Sequence, residues 1–120
     1  MSNDSLLANE ICLDDLREIV GDDAEVLRDV LESFLEDSPK LLKAMEQDLA
    51  SKDLEGIERN AHTLKSSSRL FRAEIFAQQC QALENNAKQG NMAAVVTQVP
   101  ELCQNFQVVA QVLAAKLEQL

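Results

Sequence analysis

An all-α protein is predicted by three features of this sequence: few helix breakers, an excess of straight-chain helix formers, and apolar residues that recur every three or four positions. Three glycines and two prolines in 120 residues, with no tryptophan or tyrosine, stand against abundant Leu, Ala, Glu, Gln and Lys, a composition of helices rather than strands. Short connections between the periodic stretches force successive helices to run antiparallel. The expected architecture is an up-and-down antiparallel four-helix bundle with a short N-terminal helix capping one end. The length suffices for one hydrophobic core, and no repeat, low-complexity run or linker divides it, so residues 1–120 are expected to form a single domain.

The first element spans Leu13 to Val20, where Leu13, Leu16, Ile19 and Val20 keep helical spacing and Gly21 supplies a stop. Asp22 or Asp23 caps a second helix through Val26, Leu27, Val30, Leu31, Phe34 and Leu35, which continues past Pro39 into Leu41, Leu42, Met45 and Leu49. Proline lacks a backbone donor and crowds the carbonyl of Leu35, so a kink or a break is expected near Pro39. Ser51, Lys52 and Asp53 form the next turn. Asp53 is the N-cap, and Gly56 the first-turn glycine, of a helix that ends near Leu70 to Arg72. A fourth long element carries Ile75, Phe76, Cys80, Leu83 and Ala87 and frays at Asn85, Asn86 and Gly90. The last runs from about Met92 to Leu117 through Val95, Val99, Leu102, Phe106, Val109 and Leu113, with a bend expected around Val96 because Pro100 lies inside it.

Composition excludes several function classes. A formal charge of −10 opposes nucleic-acid binding, which needs a basic stripe, and four phenylalanines without tryptophan or tyrosine offer little for base stacking. Cys12, Cys80 and Cys103 are odd in number, widely spaced and lack a C-x-x-C pair, so they read as small apolar fillers rather than disulfides or zinc ligands. The stretch from Met1 to Glu10 has no basic or long apolar region of a signal peptide. No later run reaches the roughly 18 apolar residues of a membrane span, so a cytoplasmic, soluble, monomeric protein with no membrane partner and no metal site is expected.

Chemistry concentrates between Arg59 and Arg72. This segment holds the only histidine, His62, and the cations Arg59, Lys65, Arg69 and Arg72, with no carboxylate between Glu58 and Glu74. A cationic spot on an acidic protein suits an anion. At about 100° per residue, Leu54, Ile57, Ala61, Leu64, Ser68 and Phe71 share a core-facing arc about 100° wide, while His62 points almost the opposite way. Lys65 at i+3, Ser66 at i+4 and Arg69 at i+7 are then expected beside it on one solvent-facing strip. Imidazole is a nitrogen nucleophile that is largely neutral near pH 7, its unperturbed pKa being about 6.5. A phosphoryl group on that nitrogen would sit beside Lys65 and Arg69, which stabilise it through charge-assisted hydrogen bonds. The small Ser66 leaves room for a second protein.

Self-contained catalysis finds no support. Ser66, Ser67 and Ser68 lie beside His62, but neighbours on one exposed helix face do not enclose a substrate. No G-x-x-x-x-G-K-[ST] loop is present to hold ATP.

The run Ala61-His62-Thr63-Leu64-Lys65-Ser66-Ser67-Ser68 resembles the AHxLKGSS signature of histidine-containing phosphotransfer (HPt) domains, and Cys80-Gln81-Ala82-Leu83-Glu84 is similar to the C-x-x-L-E run of that family's next helix. The resemblance covers most of the chain. Two positions depart from the pattern: Ser66 and Arg72 stand where the family commonly has glycine. The resemblance implies that His62 is the phosphorylated residue of a stand-alone phosphorelay shuttle, accepting a phosphoryl group from a receiver-domain aspartate of a hybrid sensor kinase and passing it to a response-regulator aspartate. It further implies that Glu84 accepts a hydrogen bond from His62 Nδ1, and that Mg²⁺ belongs to the receiver, so the chain needs no cofactor of its own. Lys65 would neutralise phosphoryl charge, Ser66 line the approach, and Arg69 and Arg72 attract an acidic receiver surface. The alternative is a non-catalytic acidic adaptor that binds a partner through the Ile11–Val20 helix and the histidine face.

Overall fold

The computed structural model describes residues 3–120, which form six helices: α1 (Asn3–Asn9), α2 (Asp14–Val20), α3 (Ala24–Ala50), α4 (Leu54–Arg69), α5 (Glu74–Lys88) and α6 (Met92–Glu118). No strand occurs among the described residues. The four long helices pack in sequence order, and α6 closes back onto α3. Cross-helix pairs show the relative directions. Along α4 and α5, Glu58 meets Lys88, His62 meets Glu84, and Arg69 meets Glu74, an order that reverses between the two helices. Between α5 and α6, Asn86 pairs with Gln98 and Gln79 with Asn105, again in reversed order.

Side-chain caps start three of the long helices where expected. Asp23 accepts from the Glu25 N–H at 2.9 Å and Asp53 from the Gly56 N–H at 3.0 Å, and Asn91 accepts from the Ala94 N–H at 3.3 Å. The cap of α5 comes from elsewhere in the chain. Its N-cap, Ala73, has no side-chain oxygen, and Glu10 Oε2 accepts the Ile75 N–H at 2.8 Å instead. Burial pushes the Glu10 carboxyl above its ordinary value despite the backbone hydrogen bonds that oppose the shift.

Two expectations change. The sequence announces one short N-terminal helix, whereas two are present, with α2 against α3 and α1 against α6 and α5. Helix α1 escapes the periodicity because it is seven residues long and, among its described side chains, buries only Leu7 completely. Of the kink or break expected near Pro39, the break does not occur: α3 runs unbroken from Ala24 to Ala50. An interior proline costs about 3 kcal/mol. Leu31 and Phe34 on one side of it and Leu42 and Met45 on the other are all buried, at roughly 1.5–3 kcal/mol each, so packing holds both halves in one helix. Helix α6 likewise continues through Pro100.

All four phenylalanines meet in the core. Phe34 lies edge-on to Phe71 at 4.9 Å between ring centroids and contacts Phe106 at 5.8 Å, and Phe106 reaches Phe76 at 5.9 Å. This chain of rings joins α3 and α6 to the turn that ends α4 and to the start of α5, fixing how the histidine helix sits.

Gly56 sets the α3–α4 corner. A Cβ there would lie 2.5 Å from Asp48 Oδ2 and 2.8 Å from Asp53 Oδ2, displacing the carboxylate that accepts from Asn60 at 3.2 Å and the one that caps α4. Gly56→Ala is expected to lower stability by roughly 1 kcal/mol, because the lost cap and hydrogen bond outweigh the helix propensity that alanine gains. Urea denaturation checks this: a midpoint above that of the wild type would mean the corner has room for a side chain.

Candidate functional site

The buried stripe of α4 is the one its periodicity predicts. Ile57, Ala61, Leu64 and Ser68 are inaccessible, and Phe71 is buried just beyond the helix end. The stripe fixes the rotation of the helix and turns the opposite face, with His62, to solvent. The His62 side chain is 59% exposed.

Glu84, on the facing helix α5, is buried and bridges two partners. Its Oε2 lies 3.1 Å from His62 Nδ1, and its Oε1 accepts from Lys65 Nζ at 2.8 Å. Lys65 Nζ also donates to Gln81 Oε1 at 2.7 Å, and the Gln81 amide is oriented by donating to Asn85 Oδ1 at 2.8 Å. Burial pushes the Glu84 carboxyl upward, but the hydrogen bonds and charges of Lys65 and His62 outweigh it, so the group is held below its ordinary value. An ionised carboxylate only accepts. The proton of a neutral His62 ring therefore sits on Nδ1, by the logic of the hydrogen-bond network, and the Nε2 lone pair faces outward. Among the described residues, no hydrogen bond engages Nε2.

The sequence-derived picture of the cations needs correction. Lys65 does not share an exposed strip with His62, because its side chain is only 9% exposed. It projects about 20° beyond the edge of the apolar arc, close enough for its stem to lie in the α4–α5 interface with the ammonium on Glu84. Arg69 Nε lies 3.4 Å from Glu74 Oε2, and Arg72 Nε lies 2.8 Å from Asp15 Oδ2 on α2. The stretch empty of carboxylates in sequence thus acquires three in space. Of the four cations, only Arg59 lacks an ion-pair partner among the described residues.

Ser66 is exposed on the turn after His62, and its hydroxyl donates to the His62 carbonyl at 3.2 Å. Thr63, Ser67 and Ser68 make the same i−4 bond, so none of these hydroxyls is set against the imidazole as a nucleophile. Arg72 has φ 55°, the left-handed region that glycine enters without steric cost; this accounts for the glycine expected there from the resemblance. The Cys80 thiol is pushed up to about 12 by burial and, like Cys12 and Cys103, is unpaired. It serves as core filler.

Two concavities meet at Thr63, the neighbour of His62. Glu58, Arg59, His62, Thr63 and Glu84 line an open recess of about 390 Å³. A larger groove of about 660 Å³ lies between α3 and α4 and shares Thr63; Val30, Phe34, Leu41 and Leu70 make its apolar floor, and Asp29 and Asp37 are among its polar lining. Among the described residues, no group of three or more His, Cys, Asp or Glu is placed to hold a metal ion, and no helix is long and apolar enough to cross a membrane.

Gln81 and Arg59 join the site without a role assigned to either from the sequence. Gln81 stands three residues before Glu84 on one face of α5, and Arg59 three before His62 on α4, so the i,i+3 spacing signals both.

An all-helical protein that presents one oriented imidazole nitrogen to its surroundings, backed by a buried carboxylate, is the class that fold and site define. The chain belongs to the Hpt domain family, whose model matches residues 29–120. Hpt domains are phosphocarriers without an ATP site of their own, and they work with receiver domains and response regulators in phosphorelays. Among solved structures, the fold is similar to the crystal structure of histidine-containing phosphotransfer protein B from Pseudomonas aeruginosa PAO1, with a TM-score of 0.82 and 23% identity over 94% of this chain and 98% of that one. No curated protein matches the sequence.

Proposed function

We propose that this protein is a histidine phosphotransfer intermediary: His62 accepts a phosphoryl group from the aspartyl phosphate of a hybrid sensor kinase's receiver domain and passes it to the aspartate of a response regulator. The observation that carries this reading is the 3.1 Å contact between His62 Nδ1 and Glu84, which leaves the Nε2 lone pair free and outward. In the forward step that lone pair attacks phosphorus, an Nε2–P bond forms, and the P–O bond to the aspartate breaks with its electron pair leaving on the carboxylate. The ring gains positive charge as it reacts, and the Glu84 carboxylate opposite Nδ1 stabilises it, as a buried carboxylate does for a catalytic imidazolium. Passage to the second receiver reverses these events.

Each site residue takes a role in this reading. Lys65 is a positioning residue that acts through Glu84, in place of the direct phosphoryl contact expected from the sequence. Ser66 keeps the approach to Nε2 low, and Arg69 and Arg72 border the docking face while engaged with Glu74 and Asp15. Mg²⁺ is supplied by the receiver, and this chain contributes no cofactor. The four long helices act as an up-and-down bundle, supported by the reversed order of cross-helix pairs and the short connections, with α1 and α2 capping one end. Residues 1–120 function as one monomeric domain in the cytoplasm.

The test uses a receiver domain charged with radiolabelled acetyl phosphate. Mixed with this protein, it is expected to pass on its label within minutes, in a linkage that is stable to base and labile to acid. A label that survives acid, or no label from any receiver of the source organism, would sink the reading.

A further inference from the structure

The phosphoryl group needs a cation, and the two that the sequence nominates, Lys65 and Arg69, are both engaged by carboxylates. Lys65 spends two of its three donors on Glu84 and Gln81 beneath the surface. Arg69 and Arg72 are paired with Glu74 and Asp15, and both stand C-terminal to His62 on the chain. Arg59 stands one turn before His62, a spacing of three residues that makes two side chains neighbours on a helix surface. Arg59 and His62 also line one open recess.

The open recess that His62 lines favours the same residue. Of its five lining residues, Glu58 and Glu84 are anionic, and each already has a cation: Lys88 at 3.8 Å and Lys65 at 2.8 Å. Arg59 is the one cation in the lining, is exposed, and has no ion-pair partner among the described residues. A guanidinium offers a planar fork of donors that matches the oxygens of a phosphoryl group. We propose that Arg59 is the residue that binds the phosphoryl group carried on His62 Nε2. This rests on the carrier reading above and deepens it, dividing the work between a buried lysine that orients the imidazole and an exposed arginine that holds its cargo.

The test needs no receiver, which separates cargo binding from partner docking. Phosphoramidate, a small anionic phosphodonor, phosphorylates the imidazole directly: Nε2 attacks phosphorus, the P–N bond breaks, and ammonia leaves with the electron pair. Arg59→Gln is expected to take up the label roughly threefold to tenfold more slowly, the range for losing a charge-assisted contact at an exposed site. In the phosphorylated protein, the midpoint of the phosphoryl group's own titration, followed by phosphorus NMR, is expected to rise in Arg59→Gln, since the neighbouring cation no longer favours the dianion. Arg59→Lys should recover most of both effects, and all three proteins should melt together. Equal labelling rates and equal midpoints for wild type and Arg59→Gln would overturn the assignment of Arg59 alone, as would a defect confined to transfer from a receiver. A wild-type protein that takes up no phosphoryl group from phosphoramidate would overturn this assignment together with the carrier reading.

Discussion

His62→Gln is expected to abolish phosphoryl uptake from a charged receiver, by at least about 10³-fold, because the nucleophile itself is removed and an amide nitrogen has no available lone pair to replace it. The fold should be nearly indifferent. The side chain is 59% exposed, and the glutamine amide can still donate to Glu84 while Lys65 continues to hold the other oxygen, so the stability change should stay within about 0.5 kcal/mol. Acid-labile label and thermal melting, measured on the same preparations, check both halves. The pairing also separates the two functional readings: an adaptor tolerates loss of the imidazole, a carrier does not. Label retained by a well-folded His62→Gln protein would remove His62 from the chemistry.

Lys65→Met is expected to have the largest effect on stability of any change at the site, a loss of roughly 2–4 kcal/mol at neutral pH, or on the order of 10 °C in melting temperature. Methionine keeps the apolar stem that runs between α4 and α5 and removes only the ammonium. The Glu84 carboxylate is then buried with His62 as its one remaining partner. Neutralising the orphaned group should recover much of the loss, so Lys65→Met/Glu84→Gln is expected to be more stable than Lys65→Met, a coupling that a double-mutant cycle measures directly. Acid gives a second check through linkage. In the wild-type protein the Glu84 carboxyl is held below its ordinary value of 4.5, so its contribution is complete above that value and is lost as pH falls through the lower, folded-state one. In Lys65→Met burial acts with less opposition and raises the carboxyl, so the variant gains stability as pH falls toward the ordinary value. The two slopes have opposite signs, and the gap between the proteins should close in acid. Equal melting temperatures at neutral pH would mean that Lys65 behaves as an exposed side chain after all.

These two variants differ in how far their outcomes could be anticipated without a structure. The exposure of His62 follows from Ile57, Ala61, Leu64 and Ser68 alone, since the period of a helix fixes the direction of every side chain once one face is buried. The caps at Asp23 and Asp53 were legible for the same reason: each bond spans two or three residues, and local chemistry decides it. The fate of Lys65 was not legible. Its position near the edge of the apolar arc is compatible with solvent or with the interface, and the choice depends on where α5 places Glu84 and Gln81, 19 and 16 residues away. Only the resemblance to a known family pointed to Glu84, and the spacing that marks Gln81 acquires meaning once Glu84 has a partner.

What the amino-acid sequence determined by itself was therefore the helical class, most helix boundaries, the buried stripe of α4 and the single outward histidine, all consequences of short-range periodicity and capping. Tertiary structure alone decided which charges are free. The contact of Arg72 with Asp15 spans 57 residues and that of Glu10 with the start of α5 spans 65, and each neutralises or caps a group that looks unpartnered along the chain. Pairing of this kind depends on the angle and register at which helices pack, which the summed burial of many side chains sets and no local pattern encodes; for the same reason Arg59, unremarkable among four cations in sequence, is the one of them without an ion-pair partner among the described residues.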